Sequence, residues 1–209
     1  MTTIESLPKQ YESLESMLFL FGEDRFPKLA MKHRGEFAQG KPFPHVVIDD
    51  FLPHEAAMRL YLNYPKVDEN IIHHDNENTS RKLQPDVSFM HPYMRAFSAA
   101  LASREFILFL ETVTGIECLL ADPYLFGGGA MISENGDFLN VHQDFNWHFQ
   151  LQLHRRVNAL LYLTPDWKEE YGGNLELGTT KRRLRRSLLC SIVSLFSRHL
   201  AQTTVSHSQ

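Results

Sequence analysis

Cysteine is nearly missing from this chain of 209 residues: Cys118 and Cys190 are its only two. Two thiols cannot build a disulfide framework, and Cys-rich zinc modules are excluded with it. Long hydrophobic runs are missing as well. The longest apolar stretch, around Leu188–Phe196, falls far below the roughly 17 residues that span a bilayer. The opening residues, MTTIESLPKQYESLE, lack the positive start and apolar core of a secretory signal. No internal repeat or Pro/Gly/Ser linker divides the chain. These absences point to one soluble, reduced, cytoplasmic protein with no membrane contact. A chain of this size buries about 70% of its unfolded surface, enough for a real core.

Carboxylates are missing from one end. Glu176 is the last acidic residue, and the 33 residues that follow hold six of the 21 basic ones. Residues 1–176 carry all 25 acidic and the other 15 basic residues, a formal −10 against +6 for the remainder. A body of that sign gives no reason to expect a nucleic-acid partner.

What is present divides into helical and strand-like parts. Leu7–Phe21 has apolar residues at helical spacing and is expected to be an amphipathic helix. A basic, Gly- and Pro-containing stretch follows. Pro44–Phe51 reads as a short strand, and Pro53 opens a helix through Leu62. Asp68–Arg81 is polar and expected to be a surface loop that includes His73-His74. Helices are expected over Asp86–Leu101 and Ser103–Thr114, the latter with Ser103 as N-cap and Gly115 as its stop. Beyond Gly115 the pattern turns to strands. Asn135-Gly136 is a hairpin signal, Val157–Leu163 is β-rich, Thr164–Trp167 is a turn, and Gly172-Gly173 precedes a strand-like Asn174–Leu177. Helices first and an antiparallel β-half second predict an α+β fold with a sandwich or barrel.

The chemistry concentrates in Phe138-Leu-Asn-Val-His142-Gln-Asp144. On a strand, residues two apart point the same way, so His142 and Asp144 would offer an imidazole and a carboxylate to one space. That is two thirds of a facial 2-His-1-carboxylate triad; the plainer alternative is a solvated His beside a turn-capping Asp. Asn158 and Tyr162 share one face of their strand, opposite Val157, Ala159, Leu161 and Leu163. They and Tyr124 are candidates to line a pocket, or equally structural residues. Phe145, Trp147 and Phe149 alternate and would wall an entrance or pack a barrel. Gly127-Gly-Gly129 lacks the ending and helix of a phosphate loop. Arg155-Arg156 reads as a charge pair at a strand start.

Several motifs in order add to this. After the His-x-Asp come Arg156-Val-Asn-Ala-Leu-Leu-Tyr-Leu163, Asp166-Trp167 and Gly172-Gly-Asn-Leu-Glu-Leu177, with Pro42–Phe51, Leu110–Gly115 and Gly127-Gly-Gly129 upstream. Over Pro42–Leu177 the chain resembles the 2-oxoglutarate- and iron(II)-dependent oxygenases of the prolyl 4-hydroxylase-like branch. The resemblance implies a double-stranded β-helix (jelly-roll) on which the N-terminal helices pack. It implies His142 and Asp144 as Fe(II) ligands and Asn158, Tyr162 and Tyr124 as candidates around 2-oxoglutarate, with ascorbate as a candidate accessory. The implied reaction couples decarboxylation of 2-oxoglutarate to succinate with hydroxylation of a C–H bond in a prolyl or other protein residue, or in a small molecule.

After Leu177 the pattern does not continue motif by motif. Thr179–Ser187 is Arg-rich and the rest mixes apolar residues with serine. By its distance from Gly172-Gly173, His207 is the candidate third ligand, yet no glycine and no Arg or Lys follows it to meet the co-substrate's far carboxylate. The expected organisation is an N-terminal helical segment (1–41), an oxygenase-like domain (42–178) and an atypical basic tail (179–209), with the jelly-roll incomplete at its C-terminus. A shifted or shortened reading of the gene, a divergent binding module that is catalytically silent, and a strand supplied by another chain each account for such a tail. The acid-free composition favours the first, and little or no turnover is expected.

Overall fold

A computed structural model of the protein describes residues 25–66, 71–76, 79–85, 90–126, 128–140, 142, 144–178 and 191–196. The helix expected over Leu7–Phe21, His207 and most of the basic tail lie outside the described residues.

The first element, α1 (Arg25–Gln39), occupies the basic, Gly- and Pro-containing stretch. Phe26, Ala30, His33 and Phe37 recur at helical spacing and are buried together. Pro27 sits in the first turn, where the missing N–H has no intrahelical partner to lose. Gly35 lies on the exposed side, so neither residue prevents the helix. Arg25 ties its start to the next loop by donating to the carbonyls of Asp50 (2.9 Å) and Phe51 (2.7 Å).

Strand β1 (His45–Ile48) is shorter than the expected Pro44–Phe51, because Asp50 turns the chain at φ 52°. Helix α2 (His54–Leu62) then begins one residue after Pro53. The polar segment expected to be a loop is instead a pair of antiparallel strands, β2 (Ile71–Asn76) and β3 (Thr79–Pro85). Ile71 and Ile72 in β2 are the β-branched residues that the overall polarity of the segment obscures.

Helix α3 (Pro92–Leu101) starts later than the expected Asp86. Pro92 favours a first helical position, and His91 caps it by accepting the Tyr93 N–H on Nδ1 (3.2 Å). Helix α4 (Arg104–Thr114) matches its expected bounds. Ser103 Oγ accepts from Phe106 N–H (3.3 Å), and Gly115, left-handed at φ 70°, donates to the Glu111 carbonyl (2.8 Å).

The core is made almost wholly by residues 26–113. Phe26, Phe51, Phe106 and Phe109 form an aromatic knot with ring centres 5.0–6.2 Å apart. Around it pack Val46 and Ile48 of β1, Ala56, Ala57 and Leu60 of α2, and Met94, Phe97 and Ala100 of α3.

The later strands are short: β4 (Phe138–Leu139), β5 (Trp147–His148), β6 (Leu153–His154), β7 (Val157–Tyr162) and β8 (Ser191–Phe196). They belong to three sheets, ordered β1-β8-β7, β2-β3-β4 and β5-β6. The last two are antiparallel, as expected of the β-half, but β8 runs parallel to both β1 and β7. The fold is α+β, with helices and, among the described residues, one small parallel sheet and two small antiparallel ones. Asn174–Leu177, expected as a strand, has no regular secondary structure, and its Leu177 is buried. Among the described residues no helix is long and apolar enough to cross a membrane.

Phe109 is 2% exposed at the centre of the knot, whereas Phe149 is 77% exposed. Phe109→Ala is expected to lower stability by about 3–5 kcal/mol in urea unfolding. Phe149→Ala should stay within about 0.5 kcal/mol of the unaltered protein. Equal effects would contradict this placement of the core.

Candidate functional site

The turn at Asn135-Gly136 forms, with Gly136 at φ 90° and Asp137 N–H donating to the Glu134 carbonyl (3.1 Å). The Asp137 carboxylate accepts the Glu134 N–H in return (2.7 Å). The strand that follows, β4, pairs with the start of β3 and ends at Leu139. His142 and Asp144 therefore stand beyond the strand on which they were expected. The Asn140 carbonyl is met by the His142 ring, 2.7 Å from its Nδ1, at the point where the strand stops. The two side chains nevertheless face one space, His142 Nε2 lying 3.1 Å from Asp144 Oδ1. Both are partly open to solvent, 36% and 40% exposed.

Elementary chemistry fixes the proton on His142. A carbonyl can only accept, so Nδ1 carries the hydrogen and, in the neutral ring, Nε2 presents its lone pair. That lone pair points at a carboxylate oxygen, a repulsive contact unless a second proton or a cation lies between them. Two neighbouring ligands of a six-coordinate first-row ion stand about 3 Å apart, which the 3.1 Å separation matches. One imidazole and one carboxylate suit ferrous iron. A backbone carbonyl behind the imidazole is the usual outer partner of a metal-bound histidine. The pair fits a metal on these grounds. Among the described residues no third His, Cys, Asp or Glu joins it to make a metal-holding group.

Asn158, at the start of β7, is brought to the same place but engages Asp144. Its Nδ2 donates to Asp144 Oδ2 at 2.6 Å, and its Oδ1 accepts from Arg155 Nη2 at 2.6 Å. Arg155 also lies over the Phe145 ring (4.1 Å to its centre), with Nη1 4.0 Å from Asp144 Oδ2. Arg155 is thus more than the strand-start charge its sequence position implied; its reach back to residue 144 depends on tertiary structure. Tyr162, at the far end of β7, is half-buried, and burial pushes its phenol above the ordinary range, leaving a neutral hydroxyl at physiological pH. Val157, Leu161 and Leu163 on the opposite face pack on the helical core, as alternation predicts, while Ala159 is exposed.

Tyr124 lies elsewhere, its ring 6.1 Å from that of buried His148. Phe126 stacks edge-on between His148 (5.3 Å) and Phe145 (5.1 Å), linking that group to Asp144's neighbour. Trp147 packs against His154, and Phe149 is exposed, so the three alternating aromatics do not share one role. Sequence inspection passed over His148 and Asp122. Asp122 Oδ1 and Oδ2 accept the N–H groups of Tyr124 (2.8 Å) and Phe126 (2.7 Å). An Asp followed by Pro is the available signal for such a turn. His148 Nδ1 accepts from Leu151 N–H (3.2 Å), which puts the proton on Nε2, 3.3 Å from Asp122 Oδ1 but out of line for a hydrogen bond.

The turn at 122–126 shapes the aromatic side of the site. Asp122→Ala removes the acceptor of two backbone amides and is expected to cost about 1–3 kcal/mol. Hydrogen exchange at the Tyr124 and Phe126 amides should speed up with it. Unchanged exchange would show that the carboxylate does not hold this turn.

No curated protein matches the chain. Nor does any solved structure. A family model does match part of it. The matched stretch begins after Tyr124, holds His142, Asp144, Asn158 and Tyr162, runs past Leu177 into the basic tail, and stops short of His207. Residues 128–205 carry a match to the 2OG-Fe(II) oxygenase superfamily.

Proposed function

We propose that this protein is an Fe(II)- and 2-oxoglutarate-dependent dioxygenase of the prolyl 4-hydroxylase-like kind. In that case its strands belong to a double-stranded β-helix that the described residues represent in part. His142 Nε2 and Asp144 Oδ1 are its protein ligands, with His207 as the third. The observation that carries this is the convergence of His142 Nε2 and Asp144 Oδ1 at 3.1 Å, with the Asn140 carbonyl 2.7 Å behind the ring at Nδ1. The family match over residues 128–205 supports it from the sequence side.

When bound, ferrous iron would supply the oxygen chemistry that couples 2-oxoglutarate decarboxylation to hydroxylation. The chain's own residues set up the place. The Asn140 carbonyl holds the His142 ring by its Nδ1 hydrogen. Asn158 and Arg155 hold Asp144. Phe145 and Phe126 form an aromatic wall beside it, suited to exclude water from one side of the site. Tyr162 offers a neutral hydroxyl on β7. The substrate is a protein residue or a small molecule rather than nucleic acid, given the formal −10 of residues 1–176. A reducing cytoplasm suits both ferrous iron and the exposed free thiol of Cys118, with ascorbate as accessory reductant.

A catalytically silent jelly-roll that binds a partner is the second reading. It is favoured by the lack, among the described residues, of a third metal-binding group beside His142 and Asp144. Succinate release from 2-oxoglutarate, with Fe(II), oxygen and candidate substrates, separates the two. The oxygenase is expected to release succinate only with iron, slowly in this chain, and His142→Ala should lower the rate at least 100-fold. Mn(II) binding that is lost in His142→Ala, without succinate from any substrate, supports the silent scaffold. Mn(II) binding indifferent to His142→Ala overturns the metal site.

A further inference from the structure

The two oxygens of Asp144 are not equivalent. Oδ1 faces His142 Nε2 at 3.1 Å, whereas Oδ2 accepts from Asn158 Nδ2 at 2.6 Å. The orientation of the Asn158 amide follows from its other neighbour. A guanidinium only donates, so the atom 2.6 Å from Arg155 Nη2 must be the amide oxygen, and the NH2 group must face the carboxylate. Arg155 in turn is held by the Phe145 ring beneath it and by the Phe145 carbonyl 3.5 Å from Nη1. Its charge stands 4.0 Å from Oδ2. The chain of contacts thus runs Phe145, Arg155, Asn158, Asp144, His142, and both ends lie within four residues of each other in sequence.

We infer that Asn158, oriented by Arg155, is a positioning residue that occupies Oδ2 of Asp144 and leaves Oδ1 as the single oxygen presented to a metal. This rests on the proposed metal site and adds a role to a residue otherwise taken as a co-substrate contact. A carboxylate free to rotate could bind an ion through both oxygens and fill one more coordination position. With Oδ2 held by Asn158, Asp144 would offer a metal Oδ1 alone. Outer hydrogen-bond partners of metal ligands typically change affinity 10–100-fold when removed.

The test is a titration of the full chain with Mn(II) alone, read by electron paramagnetic resonance, with thermal unfolding of the metal-free chain measured alongside. Asn158→Ala is expected to weaken Mn(II) binding at least 10-fold while the metal-free melting curve stays close to that of the unaltered chain. Asn158→Gln, which keeps an amide donor, should recover part of the loss. Arg155→Lys should lose less than Arg155→Ala, because an ammonium still donates to the amide oxygen. Asp144→Ala separates the two levels of the argument. If it leaves Mn(II) binding unchanged, the metal site itself is wrong and the inference falls with it. If Asp144→Ala abolishes binding while Asn158→Ala binds as tightly as the unaltered chain, only the positioning role is overturned. Should Asn158→Ala fail to fold, equal affinity in Arg155→Ala, Arg155→Lys and the unaltered chain overturns it equally.

Discussion

Four phenylalanine rings anchor this molecule. Phe26 comes from α1, Phe51 from the loop after β1, and Phe106 and Phe109 from adjacent turns of α4, so one cluster fixes three segments far apart in sequence. Such rings remove large apolar areas from water, and their tilted and stacked contacts add to that. Among the described residues after Gly115, Leu119, Ala130, Val157, Leu161 and Leu163 lie partly buried against the core that surrounds this knot. Among the described residues, Leu177 is the one buried hydrophobic core residue from beyond Val113.

The site-bearing part is attached by fewer and more specific contacts. Val157, Leu161 and Leu163 lay one face of β7 on the helical core. Tyr64, just past α2, pairs its hydroxyl with both backbone groups of Met131, donating to the carbonyl (3.0 Å) and accepting from the N–H (2.9 Å). Burial pushes the Tyr64 phenol up, although the Met131 hydrogen bond opposes this, so the hydroxyl keeps its proton at physiological pH. A helical layer carrying an exposed candidate site is a common division of labour, since binding residues sit on loops that a scaffold positions.

Local signals were read well where local chemistry decides the structure. Ser103 and Gly115 bound α4 because capping depends on residues within one turn. Pro27 and Gly35 do not interrupt the helix over Arg25–Gln39, because one sits in the first turn and the other on the solvent side. The β2–β3 pair is hidden because Ile71 and Ile72 stand in a run that is otherwise polar, and the pairing that makes it a strand is a tertiary fact. The His142–Asp144 pairing was legible, but for a different reason than the one first available. Strand alternation predicted it, whereas a histidine hydrogen bond to Asn140 produces it after the strand has ended. Asn158 and Arg155 could not be linked to Asp144 from sequence, since an amide between a guanidinium and a carboxylate is a purely spatial fact.

The parallel ladder places β8 between β1 and β7, with Ile192 opposite both His45 and Asn158. During synthesis, β1 leaves the ribosome long before the strand that will lie beside it has been translated. The helical layer has time to assemble around its phenylalanines first, because all four rings lie within residues 26–109 and are translated before β7 and β8, whereas the sheet must close loops of very different length around one late arrival. The β1 and β7 edges wait unpaired in the meantime, and a nascent chain stalled at that stage would offer both to other chains.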